Sequence, residues 1–190
     1  MEWFINLSKE FAAFETLLRQ FSLLFGMGLS IASLINFMSK KKNPHKEDVS
    51  LFSLFVQQMF CIFLIDLDVV IGIGSVSAFG QNESEEVGNY LSDISSVDMQ
   101  IAGKAAVMAA ATLIGRFFGF LAFYNGYCAA GETNDMERKK LFSKAVYRYI
   151  ASIIFVSFGA LYEMFEENYG LDFNVTSRGG HGFSMEAHTV

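Results

Sequence analysis

The positively charged residues of this chain are concentrated in two short segments that separate long apolar runs. Four lysines lie between Lys40 and Lys46, and five basic residues lie between Arg138 and Arg148. No lysine or arginine occurs between the first segment and Lys104. Loops rich in Lys and Arg stay on the cytoplasmic side when a membrane protein inserts. The pattern therefore predicts an all-α membrane protein whose two basic segments are both cytoplasmic.

The composition supports this membrane prediction. Of 190 residues, 52% are hydrophobic and only one is proline, which is too apolar for an ordinary soluble domain of this length. A spanning helix needs roughly 20 predominantly apolar residues. Four segments meet that requirement: Leu17–Met38, Val49–Ser77, Ala105–Ala130 and Val146–Met164.

The predicted layout is one helical membrane domain over residues 1–164 followed by a polar tail, 165–190. It contains two helical hairpins, 17–77 and 101–164. The acidic segment 81–98 joins the hairpins and carries no basic residue, so we expect it outside, together with both termini.

The N-terminal residues precede the first span with aromatic and aliphatic side chains at helical spacing. Phe4, Leu7, Phe11 and Phe14 follow this pattern and predict an interfacial helix that leads into the first span. An extension of the first span beyond the lipid is an equally good interpretation. No basic cluster precedes the first apolar run, so we expect the run to be a retained helix.

The second apolar run is longer than one span requires. Asp66 and Asp68 interrupt it, and Gly72 and Gly74 follow. We expect a membrane helix to about Val70 and an irregular or tilted continuation outside.

The third run is rich in small residues, which allow helices to approach closely. Gly115 and Gly119 have GxxxG spacing and lie within an alanine-rich segment. We expect this face to be buried against protein rather than lipid.

Charges inside the apolar runs require an explanation, because an unpaired charge in hydrocarbon costs at least a few kcal/mol. Asp66 and Lys104 are predicted near the outer interface, where they could form an ion pair or remain hydrated. Arg116 lies deeper, near the expected depth of Gln57 and Gln58. Hydrogen bonds to those amides, snorkelling to the cytoplasmic interface and capture of a lipid phosphate all remain open for Arg116.

The sequence offers little that suggests catalysis. His45, His181 and His188 lie in a basic loop and a polar tail, without the spacing of a metal site. No phosphate-binding loop, dinucleotide fingerprint or nucleophile elbow occurs. Cys61 and Cys128 give no disulfide framework. We therefore expect a protein that is not an enzyme and that has no metal site.

Apolar hairpin helices rich in Gly and Ala, with external termini and basic turns at Lys40, Lys41, Lys42 and at Arg138, Lys139, Lys140, resemble a known group of proteins. The group comprises small inner-membrane proteins and pilins of conjugative type IV secretion systems. The length and layout are more similar to the small polytopic subunits of type IVB systems, of the TraQ and IcmC/DotE kind, than to single-hairpin pilins.

The resemblance implies a non-catalytic building block of a conjugation apparatus in the bacterial inner membrane, with the self-assembling pilus subunit as one form of it. It further implies a homo-oligomer or filament that contacts membrane lipids and other secretion-system subunits, with nucleic acid only as transported cargo. Bound phospholipid is the one cofactor it suggests. The implied headgroup or lumen contacts are Lys40, Lys41, Lys42, Arg116, Lys139 and Lys140.

Two other classes of function remain open from the residues alone. In a small transporter or channel, the transport residues would be the charges inside the apolar runs: Asp66, Asp68, Lys104 and Arg116. The second class is a scaffold of an unrelated membrane complex.

Overall fold

A computed structural model describes residues 2–42, 50–79 and 99–169. Every element in these ranges is an α-helix, as predicted. In chain order they are α1 (Glu2–Lys41), α2 (Leu51–Ile65), α3 (Leu67–Phe79), α4 (Met99–Gly131), α5 (Asp135–Val156) and α6 (Phe158–Tyr169). The acidic segment 81–98, the residues 43–49 and the tail beyond Tyr169 lie outside the described residues.

Helix α1 is a single 40-residue helix, so the N-terminal residues extend the first span instead of forming a separate element. Ala13–Ser39 within α1 and Gly103–Gly131 within α4 are long and apolar enough to cross a membrane. The pair α2 and α3 would add a third crossing if it acts as one bent span. These apolar helices are those of a membrane-associated protein.

The fourth predicted span, Val146–Met164, is not a single helix. It falls partly in α5, whose first half carries basic residues, and partly in α6, and the two helices are separated at Ser157. The Oγ atoms of Ser157 and Ser75 lie 2.6 Å apart in a buried hydrogen bond. A fourth span is therefore not confirmed, because the apolar part of α5 ends at Val156 and is too short to cross a membrane alone.

Helix α4 is the central helix of the bundle. It packs against α1 and α2 on one side and against α5 on the other, and α3 crosses to contact both α4 and α5. Asn134 caps α5: its Oδ1 accepts hydrogen bonds from the backbone N–H groups of Met136, at 3.0 Å, and Glu137. Because only three residues separate α4 from α5, the two helices form an antiparallel hairpin.

The face of α4 that carries Gly115 and Gly119 is buried against protein, as the GxxxG spacing predicts. A Cβ atom added at Gly115 would lie 2.9 Å from the carbonyl oxygen of Ser152, and one added at Gly119 would lie 2.9 Å from the Ser152 Oγ. The core beside this contact consists of large apolar side chains: Leu64, Leu67, Ile71, Phe120, Phe123 and Val156.

Candidate functional site

The chain turns by 90° between α2 and α3, at Asp66. Asp66 has φ −113° and ψ 45°, outside the helical region, yet its N–H still donates to Ile62 O at 3.0 Å. The Val70 N–H donates to Asp66 O at 3.2 Å. The hydrogen-bond ladder thus continues on both sides of the bend. Of the two continuations that the sequence left open, irregular or tilted, α3 is therefore the tilted one, and it begins at Leu67.

Side chains of neighbouring helices contact the backbone around this bend. Ser22 of α1 donates a buried hydrogen bond to Leu64 O at 2.5 Å, and Tyr149 of α5 donates to Val70 O at 3.1 Å. Broken helices are tolerated at membrane depth only where other groups satisfy the freed backbone atoms. The bend is therefore supported from both sides of the bundle.

Four charged side chains meet next to the bend, and we call them the charged cluster: Glu15, Arg19, Asp68 and Arg116. The Arg116 side chain is 6% exposed, and its Nε lies 3.0 Å from Asp68 Oδ1. Its Nη1 forms an ion pair with Glu15 Oε1. Arg19 Nε lies 3.5 Å from Asp68 Oδ2, with 76% of its side chain exposed. The cluster holds two positive and two negative charges and links α1, α3 and α4.

Local structure places each member of the cluster. Glu15 and Arg19 are one helical turn apart on α1, so both side chains lie on the same face. Asp68 lies in the first turn of α3, where the helix dipole favours a negative charge. Arg116 follows Gly115 on the buried side of α4, which brings the guanidinium between the two acidic groups.

A second polar contact joins α1 and α2 further along the bundle. Gln58 Oε1 accepts a hydrogen bond from Ser30 Oγ at 2.6 Å, and Gln58 Nε2 donates to Ser30 O at 3.2 Å and Ser33 Oγ at 2.5 Å. Ser53 Oγ donates to Ala130 O, which fixes the start of α2 against the end of α4. Interhelical hydrogen bonds of this kind hold membrane helices together where hydrophobic driving force is absent.

Of the two alternatives that the sequence left open for Asp66 and Lys104, an ion pair or hydration, the ion pair is not formed. Asp66 is exposed at the bend, and Lys104 Nζ lies 4.4 Å from the centre of the Tyr162 ring, a cation–π contact with α6. An exposed Asp66 fits the hydrated alternative, because the 90° bend places Asp68, not Asp66, against the bundle.

Arg116 does not bond to the two glutamines suggested by depth alone. Gln58 is used by α1, and Gln57 Nε2 lies against Gly131 at the end of α4. Arg116 instead lies between Asp68 and Glu15, inside the bundle rather than at a lipid interface. Sequence reasoning missed Glu15 and Arg19. Their i, i+4 spacing on an apolar helix was the available signal, but the predicted start of the first span at Leu17 falls between the two residues.

The other predicted contact residues lie on the surface. Lys41 and Lys42 are exposed at the end of α1, and Lys139 and Lys140 are exposed near the start of α5. The Lys40 side chain lies outside the described part of the structure. Since α1 and α4 run parallel, both basic segments lie at the same end of the bundle.

An apolar groove of about 390 Å³ lies between α1 and α4, near the charged cluster. Its lining is entirely apolar: Phe14, Leu17, Leu18, Phe21, Leu113, Ile114 and Phe117. Within the described ranges, no three His, Cys, Asp or Glu side chains come together as metal ligands. Comparisons with protein-family models, curated proteins and solved structures give no match for this chain.

Proposed function

We propose that this protein is a non-catalytic structural subunit of a type IV secretion apparatus, which assembles in the membrane with copies of itself and with other subunits. The observation that carries the proposal is the open outer face of α1. In the most apolar stretch of α1 only 17% of the residues are buried, whereas 56% are buried in the corresponding stretch of α4. The helix contributes one side to the bundle and leaves the other available to neighbours.

The chemistry of that outer face suits helix–helix contact. A Cβ atom added at Gly28 would meet nothing within 4 Å, and Ala32, one turn later, is exposed. Small residues spaced four apart let a second helix approach closely in a membrane. Gly26 serves this purpose within the subunit, since it packs against the Cys61 carbonyl of α2. Gly28 is on the other side and supports contact between subunits.

The charged cluster also supports a structural role. Its formal charges cancel, and Arg116 is held by acidic groups from two other helices. A buried arginine paired in this way links helices, and nothing in the pairing requires a solute. The basic ends of the bundle then act on phosphate-bearing surfaces, such as anionic headgroups or transported nucleic acid.

Replacing Gly28 by Leu tests the proposal. The side chain projects into open space within one subunit, so the fold should persist, while close approach of a second copy should be blocked. Chemical crosslinking in membranes should show loss of the oligomer, and transfer between cells should fall with it. Gly103→Leu is the matched control, because Gly103 is also open. If Gly28→Leu leaves the oligomers unchanged, this face of α1 does not take part in subunit contacts.

A transporter or channel is the second candidate, favoured by one observation. The broken helix formed by α2 and α3 lies beside buried charges, an arrangement that transporters use to bind substrates and ions near the membrane midplane. Under this alternative Asp66, exposed at the bend, is the carboxylate a solute could reach.

A further inference from the structure

The break between α2 and α3 is confined to a single residue. Helix α2 ends at Ile65 and α3 begins at Leu67, so only Asp66 lies between them. Asp66 has φ −113° and ψ 45°, whereas an α-helical residue has φ of about −63° and ψ of about −42°. Rotations of about 50° in φ and about 90° in ψ at this one residue would therefore join the two helices.

The joined helix would be long and regular. No proline lies between Leu51 and Phe79, and the straight helix would be about 43 Å long. The two helices together are apolar enough to form one membrane span. A 90° turn cannot keep every bond between an N–H group and the carbonyl oxygen four residues earlier. Straightening therefore restores backbone hydrogen bonds that the bent form gives up.

The contacts next to Asp66 do not oppose such a movement. Asp68 is only two residues beyond Asp66, so it moves little when α3 swings, and its ion pairs with Arg19 and Arg116 can be kept. Ser22 of α1 bonds to Leu64 O, on the α2 side of the break. These contacts hold the pivot in place, and the position of α3 is decided further along the helix.

Two hydrogen bonds further along α3 hold the bent position, and we call them the latch. Tyr149 of α5 donates to Val70 O at 3.1 Å, and the Oγ atoms of Ser75 and Ser157 lie 2.6 Å apart. Ser75 is about 14 Å from Asp66 along α3, so a swing of 90° would carry it roughly 20 Å. Straightening must therefore break the latch.

Only one face of α3 is committed to the bundle in the bent form. Ile71 and Ser75 are fully buried, whereas Val69, Ile73 and Val76 are 54%, 62% and 45% exposed. The exposed face is apolar and makes no use of the bend. The latch and the burial of one face are thus what the bent form gains over the straight one.

We propose that Asp66 is a hinge and that α2 and α3 exchange between the bent form and a single straight helix, with Tyr149 and Ser157 as latch residues. The inference goes beyond the proposed function and does not depend on it, because all of these contacts lie within one subunit. Straightening withdraws Ile71 from Gly119 and uncovers the surface of α4 and α5 that α3 covers. The hinge therefore gives the subunit a closed form and an open form.

A distance measured across the hinge tests the inference. Spin labels would be attached at Phe55→Cys on α2 and Val76→Cys on α3, both exposed, in a chain whose Cys61 and Cys128 are replaced by Ala. Excess unlabelled chain in lipid vesicles restricts the signal to distances within one subunit. Double electron–electron resonance should give about 22 Å in the bent form and about 32 Å in the straight form, from the helical rise on each side of the hinge.

Opening the latch should shift this distance. The parent should show mainly the shorter distance, and Tyr149→Phe combined with Ser157→Ala should show the longer one as a major second population. Ser30→Ala combined with Ser33→Ala is the matched control. It also removes two hydroxyl groups, but from the contact between α1 and Gln58, and should keep the parent distance.

The outcomes decide the inference in every case. A latch variant that keeps only the shorter distance would show that the bend is rigid. A parent with only the longer distance would show that the bent form is not the resting form. If circular dichroism shows that the latch variant has lost its helices, Asp66→Ala decides instead. Alanine favours a continuous helix, so this variant should gain the longer distance, and its absence would overturn the hinge.

Discussion

At the scale of single residues, Arg116 joins three helices through buried ion pairs. Its guanidinium binds Asp68 of α3 and Glu15 of α1, while Arg19 contributes a second contact to Asp68 from the surface. Ion pairs that are buried can be replaced by apolar residues at little cost, but removing one partner leaves the others uncompensated. The stability of the bend therefore depends on the balance of the cluster.

Replacing Arg116 by Gln should destabilise the folded protein by about 3 kcal/mol, because two largely buried carboxylates lose their counter-charge. Unfolding in mixed detergent, followed by circular dichroism, measures the change. Arg138→Gln is the control: its pair with Asp135 is exposed and worth about 0–1 kcal/mol. Combining Arg116→Leu, Asp68→Leu and Glu15→Leu should recover much of the loss. Equal effects of Arg116→Gln and Arg138→Gln would show that the cluster contributes little.

At the scale of helices, two breaks define the bundle. The bend at Asp66 turns α3 across α4 and α5, and the break at Ser157 separates α5 from α6. The Oγ atoms of Ser75 and Ser157 join the two broken helices directly. The close approach of α4 to both broken helices depends on Gly115 and Gly119. A larger side chain at either position would collide with neighbouring residues, namely Ile71, Ser152 and Val156.

Gly119→Leu should therefore disturb helix packing. Overpacking costs about 1–3 kcal/mol in a close-packed interior, and Gly119 faces Ile71 and the Ser152 side chain. The same unfolding assay should place Gly103→Leu, in open space on the same helix, within about 0.5 kcal/mol of the parent. Equal free energies of unfolding for the two variants would show that α3, α4 and α5 are not closely packed at Gly119.

At the scale of the whole molecule, charge is distributed unevenly. The basic ends of α1 and of the α4–α5 hairpin lie together at one end, where an anionic leaflet attracts each exposed basic residue by about 1 kcal/mol. The structural function and the transport function therefore predict different effects of two changes: reversal of these basic charges and neutralisation of Asp66 at the bend.

Reversing Lys41 and Lys140 together to Glu should impair assembly and transfer, because the attraction becomes repulsion. Asp66→Asn should leave both nearly unchanged, since Asp66 is exposed and outside the charged cluster. Crosslinking yield and transfer frequency, measured on both variants, decide between the two candidates. A transporter would give the opposite ranking: Asp66→Asn would assemble but be inactive, and the lysine reversal would be silent.

The sequence by itself determined the helical class, the two long apolar helices and the packed face of α4. These depend on local quantities: hydrophobic length, charge placement and GxxxG spacing. Only the tertiary structure decided the partners of Arg116, the site of the 90° bend and the break at Ser157. Each depends on which side chains other helices bring to that point. Glu15 lies about 100 residues from Arg116 in the chain, so no local pattern could connect them.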